Sequence, residues 1–230
     1  MNMERILVVA AHPDDDVLGC GGTLRKLVKR GKSVRVVFLG EGSTCRFSPD
    51  QIASAEALET IEQRTGFARE SLAILGIENY TFHNLPCGRF DTVPIIEIGK
   101  IVEKEIADFQ PDTVFSHFAH DTHVDHQLAS QATLQATRPV TLDPVRNVIS
   151  FEILSSTEWR FTESFNPNFF VDIHDELSTK IESFSKYITE ERPFPFPRSP
   201  EGLTAQATMR GMQVGCASAE AFVIVRSVEA

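Results

Sequence analysis

The sequence predicts an α/β fold, a Rossmann-like three-layer sandwich around a mostly parallel sheet, in one domain spanning residues 1–230. Residues 6–11 (ILVVAA) form an unbroken apolar run, as strands buried on both faces do. Residues 33–39 (SVRVVFL) read as the next strand. Between them a helical pattern at Leu24, Leu27 and Val28 stops at Gly31. Strand, helix, strand over this span is a βαβ unit, and such units build parallel sheets.

The alternation continues along the chain. After residue 11 a polar turn leads to glycines 19, 21 and 22, which allow a tight turn into the helix that follows. Residues 40–50 carry the Gly, Ser and Pro of a loop, and residues 51–75 have helical spacing ended by Gly76. A short strand is expected at 78–82. A helix at 93–109 puts Ile95, Ile98, Val102 and Ile106 on one side. Pro111 introduces a strand at 112–116, a helix runs over 124–137 and stops before Pro139, and a strand follows at 147–154. A strand at 169–173, a helix at 176–187, a helix at 203–212 and a strand at 222–225 complete the pattern. The segment RPFPFPRSP at 192–200 reads as a rigid surface loop, a lid or an oligomer contact, and its phenylalanines allow for a homo-oligomer.

A chain of 230 residues is long enough for one sizeable core. Its net charge of -10 argues against nucleic acid or an anionic membrane as partner, because both require basic surface. The four cysteines, Cys20, Cys45, Cys87 and Cys216, form no C-x-x-C pair and read as reduced thiols. The apolar run at 6–11 is too short for a signal peptide or a membrane span. A cytoplasmic location is therefore expected.

Two polar clusters carry the chemistry. His12, Asp14, Asp15 and Asp16 follow the first strand, while His117, His120, Asp121, His123, Asp125 and His126 follow the strand at 112–116. Five of the seven histidines thus fall near two strand ends, where ligands collect in open parallel sheets. Three successive aspartates repel one another, and no Lys or Arg follows in the chain until Arg25, so a divalent cation is the expected counter-charge. Two imidazoles and one carboxylate make a zinc-type set with a position open for water. Such an ion lowers the pKa of water to roughly 7. A spare aspartate then serves as general base, and a spare histidine as oxyanion donor or acid. Asp121 is a candidate to hydrogen-bond a liganding imidazole. Arg46, Arg89 and Arg210 are candidate substrate anchors, and Arg64 lies on the long helix.

AHPDDD at 11–16, G-x-G-G at 19–22 and HVDH at 123–126 together resemble the PIG-L/LmbE family of zinc-dependent N-deacetylases. The likeness extends through Arg64 and Gly76, LPCGRFD at 85–91, PDTVFSH at 111–117 and the segment 210–222 ending in AEAF. It implies that Zn2+ is held by His12, Asp15 and His126, with Asp14 as general base. It also implies that His123 polarises or protonates the tetrahedral intermediate, that Asp125 orients and charges His123, and that Arg64 reaches the site. Two positions depart from the family pattern. Asp16 replaces a glutamate, and Ser218 stands where many relatives have a tyrosine, leaving Tyr80 and Tyr187 as the only tyrosines. The implied activity is removal of the acetyl group from an N-acetylated amino sugar, free or as a glycoside or nucleotide conjugate. Alternatives are an amide hydrolase on a non-sugar or thiol-conjugate scaffold, and a nucleotide-binding module without metal chemistry. The three acidic residues in the first loop would repel phosphate and disfavour that last reading.

Overall fold

In the computed structural model, residues 3–140 and 145–229 are described. The strands are β1 (Arg5–Ala10), β2 (Ser33–Gly40), β3 (Asn79–Leu85), β4 (Thr113–His117), β5 (Asn147–Phe151), β6 (Phe169–Asp172) and β7 (Ala219–Ser227). The helices are α1 (Asp15–Lys29), α2 (Ala55–Leu75), α3 (Ile95–Phe109), α4 (Val124–Ala136), α5 (Leu177–Phe184) and α6 (Pro200–Val214). They flank one seven-stranded sheet of order β3-β2-β1-β4-β5-β7-β6. Strands β1 to β5 pair in parallel, and β7 alone runs antiparallel to its neighbours β5 and β6. The expected mostly parallel α/β sandwich is therefore the observed fold.

Side-chain alternation explains why β1 reads as a continuous apolar run. Ile6, Val8 and Ala10 pack in the layer with residues of α1, α2 and α5. Leu7, Val9 and Ala11 pack in the opposite layer with α3 and α4. All six are fully buried, so neither face of the strand tolerates a polar residue. Ser54 caps α2 by accepting from the Ala57 amide, Ser199 caps α6 by accepting from the Gly202 amide, and Gly76 and Gly215 end these helices in the left-handed conformation.

The start of α1 differs from expectation. The glycines do not form a turn ahead of the helix; they lie within it, and the helix begins at Asp15. It kinks at Cys20, whose φ of -149° is non-helical. The kink is splinted by a buried ion pair. Glu220 accepts from the amides of Gly22 (2.9 Å) and Thr23 (2.7 Å), capping the second half of the helix. Lys180 Nζ donates to the Leu18 carbonyl (2.8 Å) and to Glu220 (2.6 Å), satisfying the first half. Gly19 is required by close approach, since a Cβ there would lie 2.4 Å from the Phe151 ring. Among the described residues, no helix is long and apolar enough to cross a membrane.

Candidate active site

Strand order reverses between β1 and β4: β2 and β3 lie beyond one, and β5 beyond the other. Such a switch point leaves a crevice at the carboxyl ends of the two strands. The loop after β1 delivers His12, Asp14 and Asp15 to it, and the segment after β4 delivers Asp121, His123, Asp125 and His126. The first loop is tightly wound. The His12 amide donates to Asp15 Oδ2 (2.8 Å), and Asp14 adopts a φ of 119°, a left-handed conformation costly for a residue with a Cβ. Gly42, at φ 76°, packs beside it, where a Cβ would meet Pro13 at 3.1 Å and His12 at 3.2 Å.

His12, Asp15 and His126 are buried, and their candidate ligand atoms lie within 4.8 Å of one another. His12 Nδ1 lies 3.6 Å from Asp15 Oδ2, and His126 Nε2 lies 3.4 Å from Asp15 Oδ1. A second carboxylate stands behind each imidazole. His12 Nε2 is 2.9 Å from Asp125 Oδ2, and His126 Nδ1 is 3.1 Å from Asp121 Oδ1. With a proton on each outer nitrogen, the inner nitrogens, which face Asp15, would be the ones open to a cation. This is the carboxylate–histidine pattern that orients metal-binding imidazoles, so the donor set fits a zinc-type cation. Asp121 is itself fixed by the hydroxyls of Ser156 and Thr157. Burial alone would lower the His126 pKa, but the Asp15 and Asp121 carboxylates push it up to about 10 in the absence of a cation. His117 is closed off differently. Its Nε2 accepts from the Ala11 amide (2.9 Å), and its ring stacks on His126 at 4.1 Å between centroids.

The three aspartates are answered by more than a cation site, because arginines arrive from distant segments. Arg64 Nη2 on α2 lies 3.0 Å from Asp14 Oδ2, and Arg198 Nη1 lies 2.9 Å from the same oxygen. Burial raises the Asp14 pKa to about 6 against the pull of both guanidiniums. Asp16 is also buried, with no side chain among the described residues answering its carboxyl, and burial pushes it up to about 7. Glu190 pairs with Arg64 and Arg46 and lies 3.7 Å from Arg198. Neither Arg198 nor Glu190 stood out in the sequence. The sole signal for Arg198 was a cation inside a proline-stiffened loop.

Asp125 does not take the place expected of it. Its carboxylate faces His12 and accepts from the amides of Gly88 (2.6 Å) and Phe90 (3.0 Å), not from His123. His123 caps α4, with Nδ1 accepting from the Asp125 amide (3.1 Å). Its proton therefore sits on Nε2. Burial and the neighbouring His126 and His12 lower its pKa to about 4, outweighing Asp125. It is a neutral hydrogen-bond donor, and the expected imidazolium is not favoured.

The expected substrate arginines are engaged within the protein. Arg89 donates to the carbonyls of Thr44, Cys87 and Phe47, fixing the loops around Asp125. Arg64 is buried on Pro13, Asp14 and Glu190, and Arg46 holds Glu190 while staying half exposed. Arg210 forks onto Glu152, with both contacts at 2.7 Å. His120 sits at the rim, paired with Glu163. Tyr187 is fully buried and Ser218 nearly so.

Comparison with known proteins follows the same lines. The family described as PIG-L, GlcNAc-PI de-N-acetylase, matches residues 7–137. A diacetylchitobiose deacetylase from Thermococcus kodakarensis is 25% identical over 203 residues, covering 84% of this chain and 72% of the relative. A conserved protein from Thermus thermophilus superposes with a TM-score of 0.75 at 26% identity, covering 99% of this chain and 97% of that one. The 4-carboxy-2-hydroxymuconate hydratase GalB from Pseudomonas putida shares the fold with a TM-score of 0.77 at 21% identity, covering 99% of each chain.

Proposed function

Since this chain belongs to the PIG-L family, we propose that it is a zinc-dependent hydrolase that removes the acetyl group from an N-acetylated amino sugar or its conjugate. One observation carries this reading: two buried imidazoles, each backed by a carboxylate, face Asp15 beside the buried carboxyl of Asp14. His12, Asp15 and His126 would hold the ion. Bound there, zinc supplies Lewis acidity toward the amide carbonyl and toward water.

The chain's own residues do the rest. Asp14 accepts the proton of the attacking water and returns it to the leaving nitrogen. Its elevated pKa of about 6 suits both tasks near neutrality. His123 donates from Nε2 to the carbonyl oxygen as negative charge develops, and being neutral it binds without surrendering its proton. With Ser218 in place of the tyrosine common in relatives, this donor carries more of that task. Asp125 fixes the ring plane of His12, and the Asp121 carboxylate stands 3.1 Å behind that of His126.

The test is acetate released from N-acetylglucosamine, N,N'-diacetylchitobiose and a nucleotide-linked N-acetylglucosamine, with a thiol-conjugated N-acylated scaffold alongside. The fold also carries a hydratase, so acetate itself is the quantity to measure, not loss of substrate. Acetate from at least one sugar is the expected result. Turnover confined to the non-sugar amide would overturn the sugar reading.

A further inference from the structure

We propose that Arg198 is a positioning residue for Asp14, holding one carboxylate oxygen and tying it to the wall of the site at residues 153–157. The proposal rests on the role of Asp14 as general base given above. Arg198 and Arg64 both contact Oδ2 of Asp14, at 2.9 and 3.0 Å. With that oxygen held on two sides, Oδ1 is the one left for water. The torsion that would exchange the two oxygens is otherwise broad and weakly restrained.

The guanidinium reaches Asp14 with one arm and the wall with the other. Arg198 Nε donates to Ser155 Oγ (2.7 Å) and, at 3.3 Å, to the Leu154 carbonyl. The next two residues, Ser156 and Thr157, hold Asp121, which lies 3.1 Å from His126. A continuous polar chain therefore runs from the base, through Arg198 and residues 154–157, to an imidazole of the candidate metal site. A planar guanidinium presents Nη1 and Nε to both ends in a fixed fork, a geometry that the point charge of an ammonium does not reproduce.

The backbone beneath Arg198 is fixed. The Arg192 amide donates to the Arg198 carbonyl (3.0 Å), closing the loop. Ser199, fully buried, caps α6. Prolines 193, 195 and 197 restrict the intervening torsions. Arg198 shares with Arg64 the charge that answers Asp14. Beyond that charge it adds direction, because it alone of the two also holds the Ser155 hydroxyl.

The experiment compares wild type with Arg198→Ala and Arg198→Lys on N-acetylglucosamine and N,N'-diacetylchitobiose, with zinc content and unfolding midpoint followed in parallel. For Arg198→Ala, kcat and kcat/KM should fall together by roughly 10- to 100-fold, with zinc content kept. Millimolar guanidinium should restore part of the rate in Arg198→Ala and none in wild type, and Arg198→Lys should stay impaired. A crystal structure of Arg198→Ala should show the Asp14 carboxyl rotated, or guanidinium seated between Asp14 and Ser155. Unchanged kcat in Arg198→Ala, or a loss that guanidinium does not touch, overturns the proposal. If wild type releases no acetate, the functional reading fails instead. The crystal structure then decides alone, and an unmoved Asp14 carboxyl held by Arg64 counts against Arg198.

Discussion

Asp125→Asn exchanges one buried oxygen for an amide nitrogen and separates two accounts of this residue. The carboxylate accepts from Phe90 N at Oδ1 (3.0 Å) and from Gly88 N at Oδ2 (2.6 Å), and Oδ2 lies 2.9 Å from His12 Nε2. An asparagine that keeps its oxygen toward Gly88 and His12 turns its NH2 on the Phe90 amide. Flipped, it turns the NH2 on the Gly88 amide and His12 together. Either way a donor meets a donor in a fully buried place. A buried unsatisfied donor costs about 1–3 kcal/mol and a lost charge-assisted bond about 1.5–3 kcal/mol, so the metal-free protein should lose about 3 kcal/mol in urea unfolding. Loss of the carboxylate behind a liganding imidazole should also weaken zinc binding by roughly 10- to 100-fold in competition with a chromogenic chelator. If Asp125 acted instead on His123, the substitution would leave zinc affinity intact and change only the pH–rate profile. That outcome would refute the pairing of Asp125 with His12.

Asp14→Asn should retain near-normal zinc while kcat falls by roughly 10²-fold or more, and wild-type turnover would show that another group takes the proton. Lys180→Met leaves Glu220 buried without its cation (the pair is 2.6 Å apart), so urea unfolding should show a loss of about 3–5 kcal/mol. A loss within about 1 kcal/mol, that of an exposed pair, would mean that the splint at the α1 kink is dispensable. The third expectation concerns protons. His126 without a cation is raised from 6.5 to about 10, so its ion pairs stabilise the metal-free fold fully below pH 6.5 and are lost as pH rises through about 10. Zinc must displace that proton at neutral pH, so affinity should climb with pH across this window. Calorimetry in buffers of different ionisation heat should report roughly one proton released per ion near neutrality. Heats independent of the buffer would contradict this.

The sheet was legible because β1, β2 and β4 are buried strands whose apolar character is local. The clustering of His12, Asp15 and His126 was legible because each follows a strand end, and parallel strands share one carboxyl edge. What stayed hidden depends on pairing across the chain. Arg198 and Asp14 are 184 residues apart, and no local pattern announces their contact. The direction of the Asp125 carboxylate is set by two amides of another loop, at Gly88 and Phe90, and not by its neighbour His123. The repulsion among Asp14, Asp15 and Asp16 correctly signalled a need for positive charge. Part of it is met by arginines from α2 and the loop 192–200, and Asp15 is left facing imidazoles. The start of α1 was displaced because glycines usually mark turns, whereas here they admit Phe151 and a kink.

The most direct measurement strips the protein with a chelator and follows acetate release as zinc is added back against protein concentration, on the sugar that wild type turns over. The expected curve starts near zero, rises linearly and breaks at one zinc per chain, and His12→Ala shows no such rise. Undiminished acetate release by the stripped protein would contradict the account, as would full activity in a His12→Ala protein that binds zinc normally.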